Sequence, residues 1–171
     1  MTIEEAIETG IAFEKKVHAA YLSAANRAQD ATAKRVFSTM AEEEQGHVTY
    51  LESRLGEWRR RGYLSDEKLR TILPSSARIR EGVKRVRSQI AQRKGSPGAE
   101  LDSLRQALAA EEETSGFYRR MVQELPAEGQ DLFSRFLEIE DGHAILVQAE
   151  IDSVNQTGFW FDVREFDLEV G

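Results

Sequence analysis

Two segments of the chain carry nearly the same eleven residues, and both end in Gly-His. Residues 37–47 read FSTMAEEEQGH and residues 133–143 read FSRFLEIEDGH, so six of the eleven positions are identical. The segments that precede them also match, with a Glu and a Tyr seven residues apart in each: Glu14 with Tyr21, and Glu111 with Tyr118. The chain is therefore expected to use one structural unit twice.

Apolar residues recur at helical spacing through four long stretches of the 171-residue chain. Thr2 and Glu5 have the spacing of a capping box, Asp30 is a favourable N-cap, and Pro126 suits the first position of a helix. These signals predict four long helices, over residues of about 2–28, 30–61, 99–124 and 126–155.

The connections between these predicted helices differ greatly in length. The first two helices and the last two are separated by short turns, whereas residues 62–98 form a long crossover in which residues 78–93 resemble a short basic helix. We therefore predict an all-α fold, an antiparallel four-helix bundle made of two helical hairpins, over residues 1–155. Residues 156–171 form an aromatic tail that we expect to pack on the bundle or on a partner subunit.

Each repeat places acidic and imidazole side chains on the apolar stripes of its two helices. One helix contributes a single Glu, and the other contributes Glu-x-x-His, whose two side chains lie on the same helix face. In an antiparallel hairpin, facing residues are equally distant from the turn, and this places each single Glu opposite the Glu-x-x-His of the same repeat. The predicted metal ligands are Glu14, Glu44, His47, Glu111, Glu140 and His143.

Charge considerations also favour a metal site. Four carboxylates that converge in a bundle core are unfavourable as unpaired charges, and two divalent cations would neutralise them. The chain contains no cysteine, which excludes disulfides and thiolate ligands, so any metal must be held by oxygen and imidazole.

On these motifs the chain resembles the ferritin-like superfamily, and within it the rubrerythrin-type di-iron domain, over roughly residues 2–155. The resemblance implies bridging carboxylates (Glu44, Glu140), terminal carboxylates (Glu14, Glu111), and one imidazole for each ion (His47, His143). It also implies that Tyr21 and Tyr118 donate hydrogen bonds to ligand carboxylates, although both tyrosines also fit the role of core residues.

The implied function is a di-iron oxidoreductase that binds two iron ions, with manganese or zinc as other options, and reacts with O2 or hydrogen peroxide. The resemblance suggests a homodimer as well. Two departures limit it. Without cysteine the chain has no rubredoxin module, so an unknown donor must supply electrons. In addition, Thr114 stands where rubrerythrins carry a glutamate implicated in peroxide chemistry.

Two alternatives remain open at this stage. The chain could bind or store iron without turnover, or it could act as an interaction module through residues 59–94, which hold 12 of its 23 Lys and Arg residues. Nucleic acid is a disfavoured partner, because the basic residues are not interleaved with aromatics and the net charge is -7. With neither a leader-like segment nor an 18-residue apolar run, the sequence favours a cytoplasmic location and no membrane span.

Overall fold

Helices make up almost all of the described chain. The computed structural model describes residues 1–90 and 100–161, with the side chains of residues 86–90 left out. The helices are α1 Ile3–Arg27, α2 Ala31–Arg61, α3 Ser76–Ile90, α4 Leu101–Glu124 and α5 Ala127–Thr157. No strand occurs among these residues, and the all-α prediction is confirmed.

Local sequence signals explain where the helices begin and end. Thr2 and Glu5 form the predicted capping box at the start of α1, with backbone-to-side-chain distances of 2.8 and 3.2 Å. Asp30 caps α2 by accepting from two backbone N–H groups, each at 2.8 Å. Gly62 and Gly158 end α2 and α5 in the left-handed conformation that glycine adopts readily, each with a φ of 71°.

The helices pack as two hairpins. α1 lies along α2 and α4 lies along α5, while α1 also contacts α4 and so joins the hairpins. The basic helix α3 packs on α5. One apolar cluster includes Phe37, Val147 and Phe161, and a second includes Ile7 and Phe133. The predicted ligands lie in the middle of the four long helices, between positions that belong to these two clusters.

The structure revises three predicted boundaries. α5 continues through the polar residues expected to stop it and ends at Thr157, whose hydroxyl donates to the carbonyl oxygen of Ser153 at 2.8 Å. Pro126 is the N-cap of α5 and not its first helical residue. The basic helix begins at Ser76, two residues earlier than expected, and is described as far as Ile90. Residues 91–98 of the predicted crossover lie outside the described residues.

The first part of the aromatic tail packs on the bundle. Trp160 contacts Phe37 edge to face, with 5.3 Å between ring centroids, and Phe161 is 2% exposed. The backbone N–H of Phe161 donates to the buried carboxylate of Glu150 at 3.0 Å. The rest of the predicted tail, residues 162–171, lies outside the described residues. Within the described part, no helix combines the length and apolar character needed to cross a membrane.

We predict that Asp30→Ala lowers the free energy of unfolding by about 1 kcal/mol, because two N–H groups at the start of α2 lose their acceptor. Asp30→Asn keeps an acceptor oxygen and serves as the matched control. Urea denaturation monitored by circular dichroism measures the difference. Equal destabilisation by both substitutions would contradict the capping role.

Candidate metal centre

The four long helices bring the predicted ligands together in one buried layer. α1 and α4 each contribute one glutamate, and α2 and α5 each contribute a glutamate and a histidine three residues later. All six side chains are at most 1% exposed: Glu14, Glu44, His47, Glu111, Glu140 and His143. The structure therefore places every residue of the predicted ligand set in a single cluster.

The cluster consists of two overlapping groups of four residues that could each hold a metal ion. One group contains Glu14 and His47, and the other contains Glu111 and His143. Glu44 and Glu140 belong to both groups. Within each group the donor atoms lie within 4.8 Å of one another, so a pair of ions could share the two common carboxylates.

The imidazole of His47 faces three carboxylates through its Nδ1 atom. Nδ1 lies 3.1 Å from Oε2 of Glu14, 3.1 Å from Oε1 of Glu140, and 3.3 Å from Oε2 of Glu44. One imidazole proton can satisfy only one such acceptor, whereas a cation can bind several oxygens and the nitrogen together. The geometry around His47 therefore suits a metal ion.

His143 occupies the equivalent place in the second repeat. Its Nδ1 atom lies 2.9 Å from Oε1 of Glu44, and 3.7 Å from oxygens of both Glu111 and Glu140. The rings of His47 and His143 stack with 5.3 Å between centroids and 5° between planes. The two halves of the cluster thus follow the internal repeat.

Several of these buried donor atoms lack a hydrogen bond of good geometry within the described part of the chain, although some lie close to an imidazole nitrogen. They include both carboxylate oxygens of Glu44 and of Glu140, and one oxygen of Glu111. Unsatisfied buried carboxylate oxygens are strongly unfavourable. Metal ions would satisfy them, and oxygen with imidazole is a donor set typical of divalent iron, manganese or zinc.

The two predicted tyrosines hold carboxylates across the α1–α4 contact. The hydroxyl of Tyr21 on α1 donates to Glu111 on α4, and the hydroxyl of Tyr118 on α4 donates to Glu14 on α1. Burial, followed by the adjacent carboxylates, raises the pKa of both phenols well above the usual value, so both remain donors at neutral pH. Each tyrosine therefore fixes the carboxylate contributed by the other hairpin.

Burial and mutual charge shift the titration of the cluster without metal. Burial and the neighbouring Glu44 carboxylate raise the pKa of Glu14 to about 8. Burial and the carboxylates of Glu14 and Glu44 raise the pKa of Glu140. Burial would raise the pKa of Glu44 too, but His47 and His143 outweigh it and lower that pKa. Burial opposes protonation of both histidines, but the carboxylates outweigh it and raise their pKa values. Protons therefore offset part of the negative charge that cations would neutralise.

Sequence reasoning missed Glu43. This residue is 5% exposed, and one of its oxygens lies 4.0 Å from Nε2 of His47. It also accepts hydrogen bonds from the hydroxyl of Thr71 and from the backbone N–H of Ile72 at 3.1 Å. The sequence signal for the burial of Glu43 was the internal repeat, in which Glu43 aligns with the apolar residue Ile139.

Three other side chains that are close to the ligands in the sequence make contacts outside the cluster. The Nδ1 atom of His18, which lies one turn after Glu14, is 2.8 Å from the carbonyl oxygen of Ala41. Thr114 is buried, and its hydroxyl donates to the carbonyl oxygen of Ala110 at 2.9 Å. Glu113 is exposed and forms an ion pair with Lys16, so it does not replace the glutamate absent from position 114.

Comparison of the sequence and structure with protein-family models, curated proteins and solved structures finds no significant match.

The raised pKa values predict how the metal-free protein responds to pH. The proton that folded Glu14 holds contributes stability that is fully present below the unfolded pKa of 4.5 and is lost as pH rises through about 8. Each extra proton held by the fold makes the free energy of unfolding fall by about 1.4 kcal/mol per pH unit in that range. The raised pKa values of three other groups also make stability fall as pH rises: those of Glu140, His47 and His143. The lowered pKa of Glu44 reduces stability only at acid pH.

Urea denaturation between about pH 5 and pH 8, with chelator and with added divalent metal, measures this effect. We expect stability to decline with pH in chelator and to decline less with metal, because bound cations replace the protons. Identical pH profiles under the two conditions would contradict the buried cluster of ionised groups.

Removal of either phenol hydroxyl is expected to weaken metal binding by about tenfold, since an unheld carboxylate is a poorer ligand. The variants are Tyr21→Phe and Tyr118→Phe. Tyr50→Phe is the matched control, because the Tyr50 hydroxyl donates to the carbonyl oxygen of Glu67, outside the cluster. Equal metal affinity in all three variants, measured by isothermal titration calorimetry, would show that the two tyrosines serve packing alone.

Proposed function

We propose that the chain is a di-iron carboxylate protein of the ferritin-like, rubrerythrin type, which binds two iron ions and reacts with O2 or hydrogen peroxide. The observation that carries this proposal is the pair of overlapping four-residue groups that share Glu44 and Glu140. Two groups of this kind, each with one imidazole, match the ligand set of a dinuclear site.

The charge of the cluster supports two divalent ions. Its four carboxylates are fully buried, and a group of unpaired charges in a bundle core is strongly unfavourable. Two divalent cations bring four positive charges to four negative ones and leave the histidines as neutral ligands. One divalent cation would leave two negative charges in the core.

The shared carboxylates suggest how the ions are arranged. Glu44 and Glu140 would hold both ions, because both residues lie in each group. Glu14 with His47 would complete one position, and Glu111 with His143 would complete the other. We favour iron, with manganese or zinc as alternatives, because mixed carboxylate and imidazole ligands suit all three.

A pair of ferrous ions held here would supply two electrons, the number required to reduce hydrogen peroxide to water or O2 to hydrogen peroxide. The chain's residues orient and enclose this pair. Tyr21 and Tyr118 hold the carboxylates of Glu111 and Glu14, and apolar clusters pack on both sides of the layer. The Thr114 hydroxyl is committed to the helix backbone, so the proposal does not include the peroxide role of the rubrerythrin glutamate.

The proposal is tested by metal analysis and by stopped-flow oxidation of the anaerobically loaded protein. We expect two ferrous ions per chain, and faster oxidation by O2 or hydrogen peroxide than free ferrous ion shows. The Glu44→Ala, Glu140→Ala double variant should lose both ions, while circular dichroism verifies that it remains helical. Unaltered metal binding in that variant would overturn the dinuclear assignment.

Further variants separate oxidation from its alternatives. Glu14→Gln and Glu111→Gln remove one ligand charge each and should change both metal affinity and oxidation rate. Neutralisation of the basic residues 59–61 should leave oxidation nearly unchanged, because solvent and salt screen exposed charges. Arg59 already pairs within the chain, with Glu4 and Glu8 at 2.7 and 2.5 Å.

Two results would select the other functions. Two bound ferrous ions that oxidise no faster than free iron would indicate binding or storage without turnover. A salt-sensitive interaction with a partner would indicate an interaction module. That interaction should be lost when residues 59–61 are neutralised and kept in Glu14→Gln and Glu111→Gln.

A further inference from the structure

Both histidines of the cluster turn the Nδ1 atom toward the ligand carboxylates. The Nδ1 atoms of His47 and His143 lie 3.3 and 2.9 Å from oxygens of Glu44. The Nε2 atom of each ring is buried and has no hydrogen-bond partner within the part of the chain that the structure describes. A metal-bound histidine almost always directs its other N–H group to a carboxylate, a carbonyl or water, which fixes the tautomer and the orientation of the ring.

Glu43 brings a carboxylate close to both rings. One of its oxygens and one nitrogen of each histidine lie within 4.8 Å of one another. The distance from Oε1 of Glu43 to Nε2 of His47 is 4.0 Å, which is too long for a hydrogen bond, so the interaction is electrostatic. Since the two rings are parallel within 5° and 5.3 Å apart, one negative charge can act on both.

The crossover segment fixes the position of this carboxylate. Glu43 is 5% exposed, and each of its two oxygens accepts one hydrogen bond. The donors are the hydroxyl of Thr71 and the backbone N–H of Ile72. Groups of the protein therefore hold the Glu43 side chain in place beside the histidines.

The internal repeat is broken at this position. Glu43 aligns with Ile139, which is 6% exposed and belongs to the apolar cluster that includes Phe133. The ligands and the two tyrosines are present in both halves, whereas this position is charged in one half only. A single carboxylate close to both rings accounts for the difference, because the second half then needs no charge of its own.

Glu43, His47 and His143 also form a group that could hold a third metal ion. Two observations argue against that role. Both oxygens of Glu43 already accept hydrogen bonds from the crossover. A neutral imidazole offers one lone pair, so two histidines that bind metal through Nδ1 would each have to lose the remaining N–H proton to bind another ion.

We infer that Glu43 is a positioning residue shared by both metal positions. Its carboxylate stabilises the N–H group on Nε2 of His47 and on Nε2 of His143, so that each Nδ1 atom presents its lone pair to a metal ion. A carboxylate in this place also increases the basicity of the ligand nitrogen. This inference rests on the dinuclear site proposed above.

Titration of the full chain with Zn2+ by isothermal titration calorimetry tests the effect on affinity. We expect two ions per chain in the wild type, and Glu43→Gln should weaken binding at both positions by about ten- to a hundredfold. Glutamine retains an acceptor oxygen for the crossover. Glu42→Gln is the matched control, since it removes the same charge from an exposed position on the same helix, and it should leave the affinity unchanged.

Nitrogen-15 NMR of the Zn2+-loaded protein separates positioning from packing. We expect a proton on Nε2 of both histidines, with the signals assigned from His47→Ala and His143→Ala. Glu43→Gln should shift both signals, and Glu42→Gln should shift neither. A response from one histidine alone, or the same effect from the two glutamate substitutions, would overturn the inference and leave the proposed function standing.

The number of bound ions tests the alternative role of Glu43. A third Zn2+ that is lost in Glu43→Gln, or the absence of the Nε2 proton from either ring, would overturn the inference, because Glu43 would then be a ligand. Failure of the wild type to bind two ions would overturn both the inference and the proposed function.

Two variants of Thr71 test the part of the crossover. Thr71→Val removes the hydroxyl that donates to Glu43 and should weaken Zn2+ binding at both positions, while circular dichroism verifies that the helices remain. Thr71→Ser keeps the hydroxyl and should bind Zn2+ as the wild type does. Equal affinities in the two variants would show that the crossover does not position Glu43.

Discussion

The burial of four carboxylates in the middle of a helical bundle is the constraint on which the rest of the structure depends. Glu14, Glu44, Glu111 and Glu140 are fully buried, each on a different helix, so the charge of this layer acts on every contact between the long helices. Apolar clusters pack on both sides of the layer. The fold can gain from burying these clusters only if protons or cations compensate the charge between them.

Apolar periodicity allowed the helices to be predicted, and the internal repeat allowed the ligand cluster to be predicted, because both depend on local spacing. A Glu three residues before a His places two donors on one helix face, and equal distance from a short turn places a second Glu opposite them. The hydrogen bonds of the tyrosines depend on packing between hairpins. Tyr21 lies two turns from Glu14 on α1, yet it donates to Glu111 on α4. No local pattern specifies that pairing.

Glu43 shows most clearly where sequence reasoning reaches its limit. In the sequence it is the middle of three consecutive glutamates, and only its alignment with Ile139 in the repeat distinguishes it from an exposed neighbour such as Glu42. Its burial arises because Thr71 and Ile72, about 28 residues later, cross over α2 and donate to its carboxylate. The path of a long connection is not encoded in helical periodicity. The end of α5 was misjudged because the polar residues before Gly158 were taken as the stop, whereas the helix ends at Gly158 in the left-handed conformation.

The crossover thereby gains a connection to the proposed chemistry. A two-electron reaction with peroxide requires both ions at once, so the capacity to react is set by the position that loses its metal more easily. His143 lines a cavity of about 170 Å³, together with Ile139 and Gly142. The segment that donates hydrogen bonds to Glu43 contributes Thr71 to the lining of the same cavity. A displacement of this segment would therefore alter the surroundings of both histidines.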